Sequence, residues 1–156
     1  MSRLTALLLA SATAHMIGAG EKKDDGALKL TAEESALVEK TNAERHKADR
    51  SPLKPNAKLM NAARKHAADM AAQDKLEHVL DEKNPTDRVE AAGYKPQFVG
   101  ENIAWNANDA NGVVAKWMDS PTHRDNILRA EYTEIGVAVA KNKRGEPYWV
   151  QVFGKP

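Results

Sequence analysis

The sequence predicts a single α+β domain in which helices come first and a β-hairpin closes the chain. Three observations carry this. Apolar residues recur at helical spacing through the first two-thirds, the period switches to strict alternation from about Thr133, and no strand-helix-strand repeat implies a parallel sheet. At 156 residues the chain is long enough for one core and too short for two well-formed domains.

Taken in order, the N-terminus carries one positive charge in MSR, an apolar run LTALLLASATA, and the small-x-small site Ala12-Thr13-Ala14 before His15. Residues 1–14 are therefore read as a signal peptide, the alternatives being an uncleaved anchor or a tail of no consequence, and the protein as exported. Residues 15–29 mix glycine with charges of both signs and read as a flexible linker, leaving 30–156 as the folded domain. Thr31 and Glu34 form a capping box for a helix bearing Leu37, Val38 and Thr41, which runs to about Asp49 before Pro52 and Pro55 forbid continuation. Asn56 caps a second helix with Leu59, Met60, Ala63, Ala67, Met70 and Ala71 on one face and Lys58, Asn61, Lys65 and Asp69 on the other.

A short third helix follows Asn84, with Pro85 near its start, Val89 and Ala92 inward, and Gly93 as its left-handed end. FVGENIAW is an extended apolar segment, and a fourth helix from about Asp109 to Asp119 carries Val113, Val114, Trp117 and Met118. Ser120 and Pro121 then signal another helix start, with Ser120 as its cap and Ile127 and Leu128 on its apolar side. The hairpin comprises Thr133–Lys141 and Tyr148–Phe153, joined by NKRGEP.

Composition narrows the function. With 23 basic and 22 acidic residues interspersed, no field gathers nucleic acid or anionic lipid. Without cysteine there are no disulfides, thiolate metal sites or cysteine nucleophiles, so histidine and carboxylates are the strong ligands left. No other apolar run approaches the roughly 20 residues of a bilayer span, so the mature protein is read as soluble, without a transmembrane segment, and monomeric.

The candidate chemistry lies in the histidines and one glutamate. His46 sits among charged neighbours and reads as solvated, whereas His66 falls on the apolar stripe and reads as a core or boundary residue. His78 follows the second helix in a loop, where functional groups are often presented; spacing alone reads it as interacting with the helix dipole. Glu101 interrupts an apolar run beside Gly100, so it either faces solvent or has a partner such as an imidazole. His123 lies in the first turn of the fifth helix, beside free backbone donors. A serine-hydrolase elbow, a His-Glu-x-x-His zinc helix and phosphate-binding glycine loops are all missing, and His123-Arg124-Asp125 matches a kinase catalytic loop by accident.

The segments TNAERHKADRSPLKPNAKLMNAARKHAADMA, KLEHV, DRVEAAGY, VGENIAW, VVAKWMDSPTHRDNIL, YTEIGVAVA and YWVQVFG, in that order, resemble a bacterial member of the CAP superfamily. This is the SCP-like domain shared by cysteine-rich secretory proteins, antigen five and pathogenesis-related proteins. The resemblance spans about residues 33–154. It implies an α-β-α sandwich with a small antiparallel sheet between helices, and export. It also implies a central cavity of two histidines and two glutamates that in some members binds zinc.

By that resemblance His78 matches the first histidine and Glu101 the first glutamate, while Ser120 stands where the second glutamate would be and Glu131 where the second histidine would be. His123, in the bacterial Ser-Pro-x-His-Arg motif, is then expected to supply the second imidazole. The expected cavity is His78, Glu101, His123 and Glu131, with His78 and His123 as ligands for zinc or copper, or else a buried network tying helices to sheet. Trp105 and Trp117 are expected in the core. Three functions follow: a binding module for an extracellular or envelope ligand, a metal-assisted hydrolase with Glu101 as general base, and a lipid carrier. The last ranks lowest because no loop shows enough apolar residues.

Overall fold

The computed structural model describes residues 28–156, so the signal peptide and most of the linker lie outside the described residues. The elements run α1 (Ala32–Lys47), β1 (Lys54–Pro55), α2 (Ala57–Gln73), α3 (Pro85–Ala91), β2 (Phe98–Trp105), α4 (Ala110–Asp119), α5 (Pro121–Leu128), β3 (Glu134–Lys141) and β4 (Pro147–Lys155). The helix starts follow the sequence signals closely. Thr31 and Glu34 close their capping box on α1, Asn56 caps α2, Asn84 and Asp87 form a second box on α3, and Asp109 caps α4. Gly93 ends α3 at φ +83°, where a side chain would be strained.

α5 departs from expectation at its first residue. Pro121 occupies the first turn as predicted, but the Ser120 hydroxyl makes no cap bond. It is spent instead on the ring of His123.

The sheet has the order β1-β3-β4-β2. β3 and β4 form the expected antiparallel hairpin, from Glu134 opposite Gly154 to Lys141 opposite Pro147, and β2 pairs antiparallel along the far side of β4. The two-residue β1, parallel to β3, was not anticipated. Prolines that stop α1 here also suit an edge position, where a missing N–H costs nothing.

Alternation along the strands builds two cores, one on each sheet face. Ile135, Val137, Trp149 and Phe153 face α1, α4 and α5 and pack with Leu37, Val113, Trp117 and Ile127. Ala138, Tyr148, Val150 and Val152 face α2 and α3 and pack with Leu59, Ala63, Met70 and Val89. The α-β-α sandwich is thus the direct consequence of period-2 strands flanked by 3.6-period helices. α2 lies so close on β3 that a methyl group at Gly136 would collide with the Leu59 backbone.

Two polar devices hold the layers in place. Arg45 of α1, 1% exposed, donates to the carbonyls of Ser51, Ile127, Arg129 and, at 3.4 Å, Tyr132, which ties α1 to the segment joining α5 and β3. The free edge of β2 is closed by side chains: Asn126 donates to the carbonyl of Glu101, Trp117 to that of Ile103, and Lys116 to that of Trp105. Trp117 is core, as expected, but Trp105 is not; it is exposed at the strand's end.

Candidate functional site

Glu101 and Asn102 are neighbours on β2, so their side chains point to opposite faces of the sheet. Each anchors a buried polar network, one in each layer.

On the α2/α3 face, the Glu101 side chain is only 1% exposed, and both its oxygens are taken. Oε1 meets His78 Nδ1 at 2.9 Å and Oε2 accepts from Arg88 Nη2 at 2.7 Å. His66 Nε2 lies 3.7 Å from Oε1, too far for a hydrogen bond. Of the two alternatives open for this carboxylate, solvent or a partner, it has a partner: an imidazole, and with it a guanidinium that sequence reasoning missed. Arg88 does more than neutralise it. Nη1 donates to the Lys83 carbonyl and Nη2 also to the His78 carbonyl, so one buried side chain fixes both the carboxylate and the loop that carries its imidazole partner.

That loop turns tightly. Leu80 and Lys83 exchange backbone bonds across Asp81 and Glu82, both at positive φ, 51° and 60°. Two adjacent non-glycine residues in that region form the two-residue hairpin turn usually built with Asn-Gly, and each stores strain. His78 is therefore not a histidine idling at the end of a helix dipole. It is half exposed, and its Nδ1 is spent on Glu101.

On the opposite face, Asn102 Nδ2 donates to Gln151 Oε1 and to the backbone carbonyl of His123, while Asn126 Nδ2 donates to Asn102 Oδ1. Gln151 Nε2 continues the chain to Thr41 Oγ1 of α1, and the Thr41 hydroxyl donates to the Leu37 carbonyl. This network sets the backbone position of His123, and Ser120 Oγ, 2.8 Å from His123 Nδ1, sets its ring.

The two networks bring His78 and His123 together around the edge of β2. Burial, then the positive charge of a protonated His78 and of Lys116, holds the His123 imidazole below its ordinary pKa, which favours its neutral form. His66 is likewise held down, chiefly by burial, with Glu101 opposing and Arg88 reinforcing. Both His78 and His123 commit Nδ1 to a protein partner, so each Nε2 is the nitrogen left for a ligand.

Glu131 does not join them. It is exposed and lies 3.6 Å from Arg129 on the surface, outside both networks. The expected zinc therefore has two imidazole donors here. Among the described residues no group of three or more His, Cys, Asp or Glu side chains is arranged to hold a metal, and Glu101 turns its oxygens to His78 and Arg88. Catalytic zinc takes three protein ligands, a set these side chains do not supply. The loop before α3 displays Leu76 and Val79 on either side of His78.

The residues missed were Arg88, His66, Asn102 and Asn126. His66 was placed correctly on the apolar stripe, but its approach to Glu101 depends on how α2 crosses the sheet. The one signal available for Arg88 was its position beside the inward Val89 on a short helix.

Comparison with known proteins agrees with this architecture. The CAP family, described as the cysteine-rich secretory protein family, matches residues 38–153. The uncharacterized protein YkwD of Bacillus subtilis (strain 168) is 35% identical over 127 residues, 81% of this chain and 49% of that protein, so the chain spans about half the length of this relative. An outer surface protein of Borrelia burgdorferi superposes with a TM-score of 0.75 at 21% identity, covering 82% of this chain and 96% of that one. An extracellular protein containing a SCP domain from Bacillus anthracis str. Ames does so with 0.74 at 23%, covering 83% and 45%. Among the described residues no helix is long and apolar enough to cross a membrane.

Proposed function

The chain belongs to the CAP family, and from that premise we propose that it is an exported binding module whose ligand meets the groove between His78 and His123. The observation that carries this is the closure of Glu101. A general base must reach the water it deprotonates, whereas this carboxylate is 1% exposed with both oxygens committed to cationic or imidazole partners. It holds the His78 ring from behind. What it organises is half exposed: His78, framed by Leu76 and Val79, offers an apolar rim and a free imidazole nitrogen to a partner. Export is supported by the apolar N-terminal run with its small-x-small site and by relatives described as extracellular or outer-surface proteins.

The test combines location, binding and turnover. The full chain should be recovered outside the cytoplasm of the producing bacterium. It should co-sediment with that organism's isolated envelopes, with retention reduced at least fivefold in His78→Ala and in His123→Ala variants that keep the wild-type unfolding temperature. Casein hydrolysis that disappears with a chelator and with Glu101→Gln would replace this reading by the hydrolase one.

A further inference from the structure

The first turn of α4 contains Asn111-Gly112, the only asparagine in the chain that is followed by glycine. Packing explains neither residue. Both are exposed, on a helix that buries Ala110, Val113, Val114 and Trp117. Glycine inside a helix weakens it relative to alanine. Yet a methyl group at Gly112 would meet only Asp109 Oδ1, at 3.5 Å, an ordinary contact, and Gly112 is not among the glycines at positive φ. The fold accepts a side chain here and does without one.

What glycine changes is the reactivity of its nitrogen, which no Cβ shields. In an asparagine-glycine pair that nitrogen attacks the asparagine Cγ. The new N–C bond closes a five-membered succinimide, and the side-chain nitrogen leaves as ammonia with the displaced amide proton. Water then opens the ring at either carbonyl, giving aspartate or, with the main chain rerouted through the side chain, isoaspartate.

The structure blocks the first step twice. Asp109 Oδ1 accepts the Gly112 N–H at 2.8 Å, so the attacking nitrogen is held by the helix cap. The Val113 N–H donates to the Asp109 carbonyl at 3.0 Å and closes the same turn. Helical backbone at Asn111 then keeps the Gly112 nitrogen out of the near-planar ring that the attack must close. Both restraints lapse together when the turn frays, an opening far easier than unfolding of the domain.

We propose that Asn111-Gly112 is a self-modification site gated by the Asp109 cap, silent while the first turn of α4 is closed and converting through a succinimide when it opens. The change is one-way. Isoaspartate adds a methylene to the main chain at position 111, so the Gly112 amide no longer returns to Asp109. α4, whose Lys116 and Trp117 cover the edge of β2, is then left without its first turn. The site stands whatever meets His78 and His123.

Mass spectrometry of digests from the full chain, kept in mildly alkaline buffer below its melting temperature, tests this beside a synthetic peptide of residues 106–116, too short to hold a helix. Conversion of amide to acid at Asn111 should run at least about tenfold more slowly in the folded chain than in the peptide. Asp109→Ala should speed it at least about threefold, whereas Asp109→Ser, which keeps a capping oxygen, should leave it at the wild-type rate. Gly112→Ala should suppress it in chain and peptide alike. A folded chain that converts as fast as the peptide overturns the proposal. So does the same rate in Asp109→Ala as in Asp109→Ser, including no conversion in either. The comparison of chain with peptide needs no variant, so it decides the matter even if Asp109→Ala fails to fold.

Discussion

Replacing Arg88 by methionine removes the cation that holds Glu101 while keeping most of the side-chain volume. Two losses follow. Glu101, 1% exposed, keeps a charge in the interior with only His78 against it, and breaking one side of a buried pair costs about 3–5 kcal/mol. The carbonyls of Lys83 and His78 also lose their donors, but both residues are exposed and water replaces much of that loss. The sum is about 3–5 kcal/mol, which for a domain of this size lowers the melting temperature by roughly 10–20 °C. Calorimetric unfolding of Arg88→Met, Glu101→Leu and the double variant checks it. The double variant should recover at least about 2 kcal/mol relative to the sum of the singles, since it buries no lone charge. A single-variant cost below about 1 kcal/mol, or strict additivity, would refute the account of Glu101 as a closed ion pair.

Other outcomes follow from the same contacts. Because burial depresses the His66 pKa, the unfolded chain takes up a proton the folded chain refuses; stability is full above the ordinary value of 6.5 and falls as pH drops below it, and His66→Phe should flatten that slope in urea titrations. Gly136→Ala drives a methyl into the Leu59 backbone and should cost at least about 1–3 kcal/mol by thermal melting, while α2 cannot move without breaking the core beneath it. Ser120→Ala should cost no more than about 1 kcal/mol, since the hydroxyl caps nothing, yet it should broaden the His123 ring signals in NMR spectra. With two imidazole donors, zinc should bind more weakly than micromolar in calorimetric titration and lose its heat in either His78→Ala or His123→Ala.

Much of the frame was legible because it rests on local rules. Caps at Thr31, Asn56 and Asp109, the stripe from Leu59 to Ala71, and the alternation of Ile135, Val137 and Val139 each follow from a few neighbouring residues. The site was legible in part, since Glu101 in an apolar run had either to face solvent or to find a partner such as an imidazole. Its partners come from 13 and 23 residues away in sequence, and nothing local specifies which cation arrives. Ser120 shows the same limit from the other side: a residue in the right place for a cap was claimed by a ring three positions on. Trp105 was misplaced because the apolar pattern of β2 ends at it and its ring faces solvent, and Glu131 because its place in the cavity was implied by the resemblance and not by its neighbours.

The side chains that close the edge of β2 have a consequence for how the protein fails. Asn126, Trp117 and Lys116 occupy three successive outward carbonyls, so α4 and α5 stand where another strand would otherwise dock. Those same bonds hold the helices to the sheet. Any opening that lifts α4 and α5 away therefore unmasks a pairing-competent strand at the moment it releases His123. Loss of the His78–His123 arrangement and the onset of strand-to-strand self-association are then one event, and the first sign of a failing preparation should be aggregation with its central hairpin still folded.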